Sequence, residues 1–202
     1  MVQRPLTLLL AAIVLAALLL SGIAPYDRGT WVLETAPVFI TLLLLALTCQ
    51  RFPLTPLLYT LIALHALVLI YGGAYTYARV PLGDWLQQAF GLLRNPYDRI
   101  GHFMQGFVPA LVAREILIRR AVVHGAAWQN FLIVCVCMAI SASYEFLEWW
   151  AALALGQGAD AFLGTQGDPW DTQWDMFMAT VGAICALLGL SSLHDAQLQR
   201  LR

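Results

Sequence analysis

Six apolar stretches, each about long enough to cross a bilayer as a helix, constrain this chain more than any other feature. A transmembrane helix needs about 20 mostly apolar residues. The stretches predict helices at about 5–24, 34–50, 54–77, 100–119, 128–155 and 172–193. A shorter amphipathic segment, 84–94, predicts a helix in the membrane interface between the third and fourth spans. We therefore predict an all-α, polytopic membrane protein with six transmembrane helices, forming one integral membrane domain over 1–202.

Composition supports a membrane protein and argues against some partners. The chain is 60% hydrophobic and 11% charged, whereas soluble domains carry roughly 25% charged residues. A net charge of −1 and the absence of lysine leave no basic run, which argues against a nucleic-acid partner. The four cysteines lie within apolar stretches, and Cys135 and Cys137 point in nearly opposite directions on a helix. Neither a disulfide framework nor a cysteine metal site is predicted.

The first apolar stretch has two interpretations. Residues 6–20, followed by small residues, are compatible with a secretory signal peptide. The apolar run nevertheless continues from Pro5 to Ala24, and Pro25 would follow the cleavage point unfavourably. We interpret the segment as a retained first helix.

Charge placement predicts an orientation. With the N-terminus in the cytoplasm, seven arginines lie on the cytoplasmic side and four on the outer side, as the positive-inside rule prefers. Ten of the twelve acidic residues then fall in the outer half, leaving only Glu115 and Asp195 inside. We predict a multi-pass protein of the bacterial inner membrane, with both termini cytoplasmic and an acidic site facing the periplasm.

Seven ionisable residues at the ends of apolar segments are the candidate site. Charged groups at membrane depth are costly unless they are paired or bind something, so they indicate function. Six of them form three pairs three or four residues apart, a spacing that places both members on one helix face, and Asp168 lies on the loop before the sixth helix. In the predicted orientation all lie near the outer ends of the fourth, fifth and sixth helices. They are Asp98, His102, Glu145, Glu148, Asp168, Asp171 and Asp175.

Carboxylates that share a small volume repel one another unless they are protonated or a cation neutralises them. Carboxylates with one histidine suit Mg²⁺, Mn²⁺, Zn²⁺ or Ca²⁺, and the set is large enough for two ions. We predict that all seven residues are metal ligands and that His102, Glu145 and Glu148 are also catalytic. Helix capping is an alternative role for Asp98 and Asp171, and His102 alone would fit a core histidine.

Further polar residues are weaker candidates. His65, in the middle of the third helix, is either a ligand, a proton carrier or a hydrogen-bonded structural histidine. Glu34 falls at the same outer face. Supporting positions around the site are predicted for Arg99, Gln105, Tyr144, Gln166 and Gln173.

Three strings make the chain similar to a known family. They are YDRIGHF (97–103), EFLEWW (145–150) and GTQGDPWDTQWDM (164–176). On these strings the chain resembles the YjdF-like family of bacterial inner-membrane proteins over nearly its whole length. It is more distantly similar to VanZ-like membrane proteins through Asp98, Arg99, His102 and Phe103, a glutamate of the fifth helix, and Asp175 with Gly182. Ala179 departs from the VanZ-like pattern, which has asparagine at that position. Neither resemblance implies a substrate.

Three functional hypotheses follow. The first is a metal-dependent hydrolase or transferase that acts from the periplasmic face on a membrane lipid or a lipid-linked small molecule. The second is a structural or regulatory protein in which a bound ion joins the last three helices. The third is a proton- or cation-coupled transporter, which paired membrane carboxylates would serve, although few polar residues occur in the predicted inner half. The sequence predicts no oligomeric state.

Overall fold

Helices account for nearly all of the residues that the structure describes. A computed structural model describes residues 3–155 and 165–201, and within these ranges there are seven helices and no strand. Residues 156–164, part of the turn predicted after the fifth span, lie outside the described residues, as does Asp160. The helices are α1 (Gln3–Ile23), α2 (Arg28–Thr48), α3 (Pro56–Tyr75), α4 (Pro81–Phe90), α5 (Tyr97–Arg119), α6 (Ala126–Leu155) and α7 (Asp171–Gln199).

Five of these helices are long and apolar enough to cross a membrane. They are α1, α2, α3, α6 and α7. The predicted membrane class is thereby confirmed. The helix predicted at 100–119 is present as α5, with 23 residues, but it is not among the five, since it contains charged residues at both ends. They are Asp98, Arg99, Arg114, Glu115 and Arg119.

Two predicted helix boundaries were wrong by six residues. We predicted that the second helix begins at 34, but α2 begins at Arg28, because Asp27 caps it by accepting a 2.7 Å hydrogen bond from the Thr30 amide. We predicted that the last helix ends at 193, but α7 continues to Gln199 with His194 and Leu198 buried. The polar sequence after residue 193 is therefore helix with one packed face.

The short helix also lies earlier than predicted. We expected it at 84–94, whereas α4 covers Pro81–Phe90. Pro81 occupies the first turn, where its missing amide hydrogen costs nothing. Gly91, with φ +63°, ends the helix in the left-handed conformation that glycine adopts readily. Leu92, Leu93 and Arg94 therefore belong to the connection that leads to α5.

The closest helix pair is α5 against α7. A side-chain carbon at Gly106 would collide with the backbone carbonyl of Ala179, and one at Gly182 would collide with that of Phe103. Only glycine at both positions permits this approach of the two backbones. The pairing aligns the first two turns of α5 and α7, which carry four of the seven predicted site residues.

Helices α3 and α6 pack beside this pair. One buried apolar cluster joins α3, α5, α6 and α7 around Leu58, Leu111, Ile133 and Leu187. A second cluster, which includes Val14, joins α1 and α2 to α3. The fold therefore holds α5 between α3, α6 and α7, so side chains from several helices meet at its ends.

Candidate metal site

Three predicted ligands from α5 and α7 converge on one point. One ligand atom each from Asp98, His102 and Asp175 lie within 4.8 Å of one another, and all three residues are buried. The His102 Nε2 atom is 3.6 Å from Asp98 Oδ1 and 3.8 Å from Asp175 Oδ2. Asp98 and His102 are one turn apart on α5, while Asp175 reaches them from the facing side of α7. The predicted convergence of these three residues is therefore present.

The other nitrogen of His102 contacts an amide oxygen. Its Nδ1 atom lies 3.1 Å from Gln105 Oε1, which can only accept a hydrogen bond. The hydrogen of a neutral His102 therefore belongs on Nδ1, and the Nε2 lone pair faces the two aspartates. Metal-binding histidines commonly have this arrangement, in which a second group holds the ring nitrogen that does not bind the ion. Gln105 has the predicted supporting position.

Helix α6 adds two buried glutamates. Glu145 is 8% exposed and Glu148 is 9% exposed, and their spacing places them on one face. Glu145 Oε1 lies 3.9 Å from His102 Nδ1. Glu148 lies within electrostatic range of Glu145, Asp98 and His102. We call Asp98, His102, Glu145, Glu148, Asp171 and Asp175 together the acidic cluster.

Two carboxylate oxygens of the acidic cluster lack hydrogen-bond partners. They are Glu145 Oε1 and Asp175 Oδ1, both buried, and neither has a partner among the described residues. Buried polar atoms in native proteins are nearly always hydrogen-bonded, because leaving one unsatisfied costs about 1–3 kcal/mol. Both oxygens belong to residues that lie within 4 Å of His102 and remain unsatisfied among the described residues.

Arginine side chains contact two more of the predicted acidic residues, Asp168 and Asp171. Arg94 forms a close ion pair with Asp171 and lies 3.4 Å from Asp98 Oδ2 and 3.7 Å from Asp168 Oδ2. Arg99 lies 3.0 Å from the same oxygen of Asp168. The structure therefore places Asp168 and Asp171 against guanidinium groups, outside the three-residue group that meets the geometry of a metal site. Arg94 was not predicted as a site residue, although its position four residues before Asp98 was a usable signal.

Glu34 joins the site from α2, as its predicted position suggested. The residue is buried, and its Oε2 atom accepts a 2.8 Å hydrogen bond from the Tyr144 hydroxyl. Tyr77 also lies within electrostatic range of Glu34. Burial raises the pKa of Tyr77 well above its ordinary value, so its hydroxyl remains a donor. The ring of Tyr144 also stands edge-on to His102, with centroids 6.1 Å apart. These contacts tie α2 to the acidic cluster.

The segment before α7 is held over the site by an amide pair. The Gln166 side chain accepts from the Asn95 amide at 3.0 Å and donates to the Asn95 carbonyl at 3.0 Å. The structure gives Gln173 no comparable role, since it is exposed on α7. Gln166 thus has a supporting position, as predicted, and it fixes the loop that carries Asp168.

The charges around the site do not balance. The acidic cluster together with Glu34 and Asp168 has seven carboxylates. Two guanidinium groups, those of Arg94 and Arg99, lie among them. Carboxylates gathered in a poorly solvated volume must bind protons or a cation.

A second ionic cluster, which the sequence did not reveal, joins the C-terminal ends of α5 and α7. His194 Nε2 lies 2.9 Å from Glu115 Oε2, and Arg114 contacts His194 Nδ1 at 3.1 Å. Arg119 contacts Glu115 Oε1 at 2.7 Å, and Arg114 contacts Asp195 at 2.8 Å. We call these five residues the C-terminal cluster. The only signal for it was Glu115 within an apolar helix, because residues 194–199 were predicted to lie outside any helix.

Comparison with known proteins places the chain in a family. The model of a family described as a predicted membrane protein (DUF2238) matches residues 6–196. The chain is also 57% identical over 198 residues to the inner membrane protein YjdF of Escherichia coli (strain K12), covering 98% of this chain and 95% of that protein. The chain belongs to this family. No solved structure matches it.

Membership confirms part of what the sequence predicted. The resemblance to YjdF-like proteins is shown, and with five apolar helices it makes the chain a multi-pass inner-membrane protein. The distant similarity to VanZ-like proteins has no support in these comparisons and stays a sequence-based expectation. The YjdF family carries no described activity here, so function has to be argued from the site.

Proposed function

We propose that the acidic cluster is a divalent-metal site at the periplasmic face of the inner membrane and that the bound ion serves chemistry on a lipid or lipid-linked substrate. One observation carries the proposal: three ligand atoms lie within 4.8 Å of one another, beside two buried carboxylate oxygens without hydrogen-bond partners among the described residues. Asp98, His102 and Asp175 would hold the ion, and Glu145, on the Nδ1 side of His102, would add negative charge beside it.

The donor set favours some ions over others. Carboxylate oxygens suit Mg²⁺, Ca²⁺ and Mn²⁺, whereas imidazole nitrogen suits Zn²⁺ and the later transition metals. The available His102 Nε2 atom between two aspartates combines both kinds of donor. We propose Mn²⁺ or Zn²⁺ as the preferred ion.

The orientation belongs to the same proposal. We propose that α5 is a sixth span, since its 23 residues measure about 35 Å at 1.5 Å per residue and it packs among α3, α6 and α7. Six spans place both termini on one side, and the arginine distribution makes that side cytoplasmic. Helix α4, with Trp85 and Phe90 exposed, would lie in the outer interface.

The residues of the site divide into distinct roles. A divalent ion supplies Lewis acidity and lowers the pKa of bound water. His102 is committed to binding through Nε2, so it is not free to carry a proton. Glu148 is buried near the three proposed ligands and is not one of them. It would accept and return a proton. Exposed tryptophans at this end would contact lipid headgroups. They are Trp149, Trp150, Trp170 and Trp174.

The first test is the metal content of detergent-purified protein, measured by elemental mass spectrometry. We expect near-stoichiometric Mn²⁺ or Zn²⁺ in the native chain and its loss in His102→Ala. His124→Ala is the matched control, since His124 is exposed and distant in sequence from the site. A native chain that binds no ion after exposure to Mg²⁺, Mn²⁺, Zn²⁺ and Ca²⁺ would contradict the proposal.

The second test addresses turnover. Metal-loaded protein in vesicles of inner-membrane lipid extract should convert at least one lipid component, detected by mass spectrometry. Glu148→Gln should keep the metal and lose the conversion, because it removes the proposed proton-transfer group. Metal binding without any conversion in the native chain would leave a structural ion as the function of the site.

A purely structural ion agrees less well with the packing. Helices α5 and α7 already meet backbone to backbone at Gly106 and Gly182. An ion is therefore not needed to join the two helices that supply its ligands.

Cation or proton transfer is a second candidate function, favoured by one observation. His65 Nε2, in the middle of α3, is buried and has no hydrogen-bond partner in the described part of the chain. An ionisable group at membrane depth fits a transfer path. Reconstituted vesicles with a pH-sensitive dye would test it. The candidate requires a flux that His65→Leu abolishes, and the absence of any flux excludes it.

A further inference from the structure

Two guanidinium groups converge on one carboxylate oxygen at the edge of the acidic cluster. Arg99 lies 3.0 Å and Arg94 lies 3.7 Å from Asp168 Oδ2. The other oxygen of Asp168 accepts a 2.9 Å hydrogen bond from the Trp170 amide. Two arginines around a single anionic oxygen form the arrangement that proteins use to bind phosphate, whose oxygens accept paired hydrogen bonds from planar guanidinium groups.

Arg99 has donor capacity that Asp168 does not use. Its guanidinium lies over the ring of Trp174, 4.9 Å from the centroid. Its Nε atom is buried and has no hydrogen-bond partner among the described residues. Stacking holds the plane of the guanidinium in place, so this donor is oriented before any ligand arrives.

The Asp168 carboxylate can move away from the two arginines. Asp168 lies in the connection before α7 and its side chain is 20% exposed, whereas Asp171 lies in α7 and its side chain is 8% exposed. Arg99 is also partly exposed, at 28%. Ion pairs in contact with water are weaker than fully buried ones, because solvent competes for both charges. A competing phosphate could therefore displace Asp168 without unfolding the site.

We infer that Arg94 and Arg99 form a phosphate subsite and that the Asp168 carboxylate occupies this subsite until the substrate binds. The inference rests on the proposed function and narrows it to a phosphate-bearing substrate. Arg94 lies 3.4 Å from Asp98 Oδ2, so a phosphate between the arginines would lie next to the proposed metal ligand. Asp168, predicted as a metal ligand, would instead compete with the substrate.

Binding of phosphate probes tests the subsite through changes of opposite sign. The full-length protein in detergent, after incubation with Mn²⁺ or Zn²⁺, would be titrated calorimetrically with dioctanoyl phosphatidic acid, with inorganic phosphate and with dioctanoylglycerol. Asp168→Asn should raise affinity for the phosphate probes roughly threefold to tenfold, because it removes the competing charge. Arg99→Gln should lower it roughly tenfold, and Arg99→Lys should give an intermediate loss, because it keeps the charge without the planar fork.

Matched controls separate this effect from general changes in charge. Asp195→Asn removes an aspartate from an arginine pair at the other end of α7. Arg79→Gln removes an arginine that stacks on Tyr26, outside the acidic cluster. Neither should change affinity for the probes.

Each outcome bears on the inference. Binding of both phosphate probes assigns the subsite to phosphate in general, and binding of phosphatidic acid alone assigns it to a lipid headgroup. Equal binding of dioctanoylglycerol, a loss of affinity in Asp168→Asn, or unchanged affinity in Arg99→Gln overturns it. Metal content is measured on the same samples. If metal is present but the phosphate probes do not bind, only the subsite is refuted. If the variants change affinity for the phosphate probes in the expected directions but no metal is present, the metal proposal is refuted.

Discussion

The two ends of the α5–α7 pair each bury a histidine among carboxylates, yet only one end balances its charges. In the C-terminal cluster two arginines face two acids, and His194 uses both ring nitrogens. No polar side-chain atom of Glu115 or His194 is unsatisfied among the described residues. In the acidic cluster the carboxylates outnumber the arginines and two buried oxygens have no hydrogen bond.

On the proposed function, this difference distinguishes a structural cluster from a binding site. A buried ionic group contributes to stability only when every charge and hydrogen bond is satisfied. The C-terminal cluster meets that condition and joins α5 and α7 to the start of α3, where Glu115 also accepts from the Thr55 amide at 3.3 Å. The acidic cluster does not meet it, and the metal ion that we propose there would account for its unbalanced charges.

Glu115→Ala should give the largest loss of stability. Removing one partner of a buried ion pair leaves the other charges unpaired and costs about 3–5 kcal/mol. We expect a clear fall in the thermal unfolding temperature of the detergent-purified protein, with metal content unchanged. Asp195→Asn is the control, because its side chain is 51% exposed and an exposed pair contributes at most about 1 kcal/mol. Equal stability of Glu115→Ala and the native chain would remove the structural role of the C-terminal cluster.

Asp175→Asn should lower metal affinity without lowering stability. We expect metal affinity to fall at least about a hundredfold, or about 2.7 kcal/mol. In the presence of a chelator the variant should unfold no earlier than the native chain, because it removes a charge from a repelling group. Metal titration and thermal unfolding with and without chelator measure both effects. Marked destabilisation in chelator would show that the acidic cluster is structural, like the cluster at the other end.

Gly106→Ala should weaken both ends together. The added carbon would meet the Ala179 carbonyl and force α5 away from α7, and overpacking of this kind costs about 1–3 kcal/mol. Both stability and metal binding should fall. Gly189→Ala is the control, since a carbon there meets nothing within 4 Å. A variant that kept native metal affinity would show that the site does not depend on this helix contact.

Asp27→Ala should have the smallest effect and should spare both clusters. Losing this cap of α2 costs about 1 kcal/mol. Hydrogen bonds from Thr30 hold the pKa of Asp27 below its ordinary value. A lowered folded-state pKa means that the contribution is present at neutral pH and is lost as the pH falls below about 4. The stability difference between Asp27→Ala and the native chain should therefore shrink in acid. A constant difference would assign the effect to something other than the carboxylate.

Local patterns accounted for the helices and for the pairs within the site. Of the six spans that the apolar stretches predicted, five are helices long and apolar enough to cross a membrane. The spacing of Asp98 with His102 and of Glu145 with Glu148 predicted shared faces. The predicted helix boundaries were wrong where capping and long-range packing decide the structure. Asp27 extended α2, and burial of His194 extended α7.

The sequence by itself determined the membrane class, the family and the residue types available to the site, because hydrophobic length and helical periodicity act over one segment at a time. Only the tertiary structure decided which acids meet His102 and which meet an arginine. That choice depends on the contact of α5 and α7 at Gly106 and Gly182, and on Arg94, which reaches acids far along the chain. Spacing within a helix does not determine which side chains face one another across two helices.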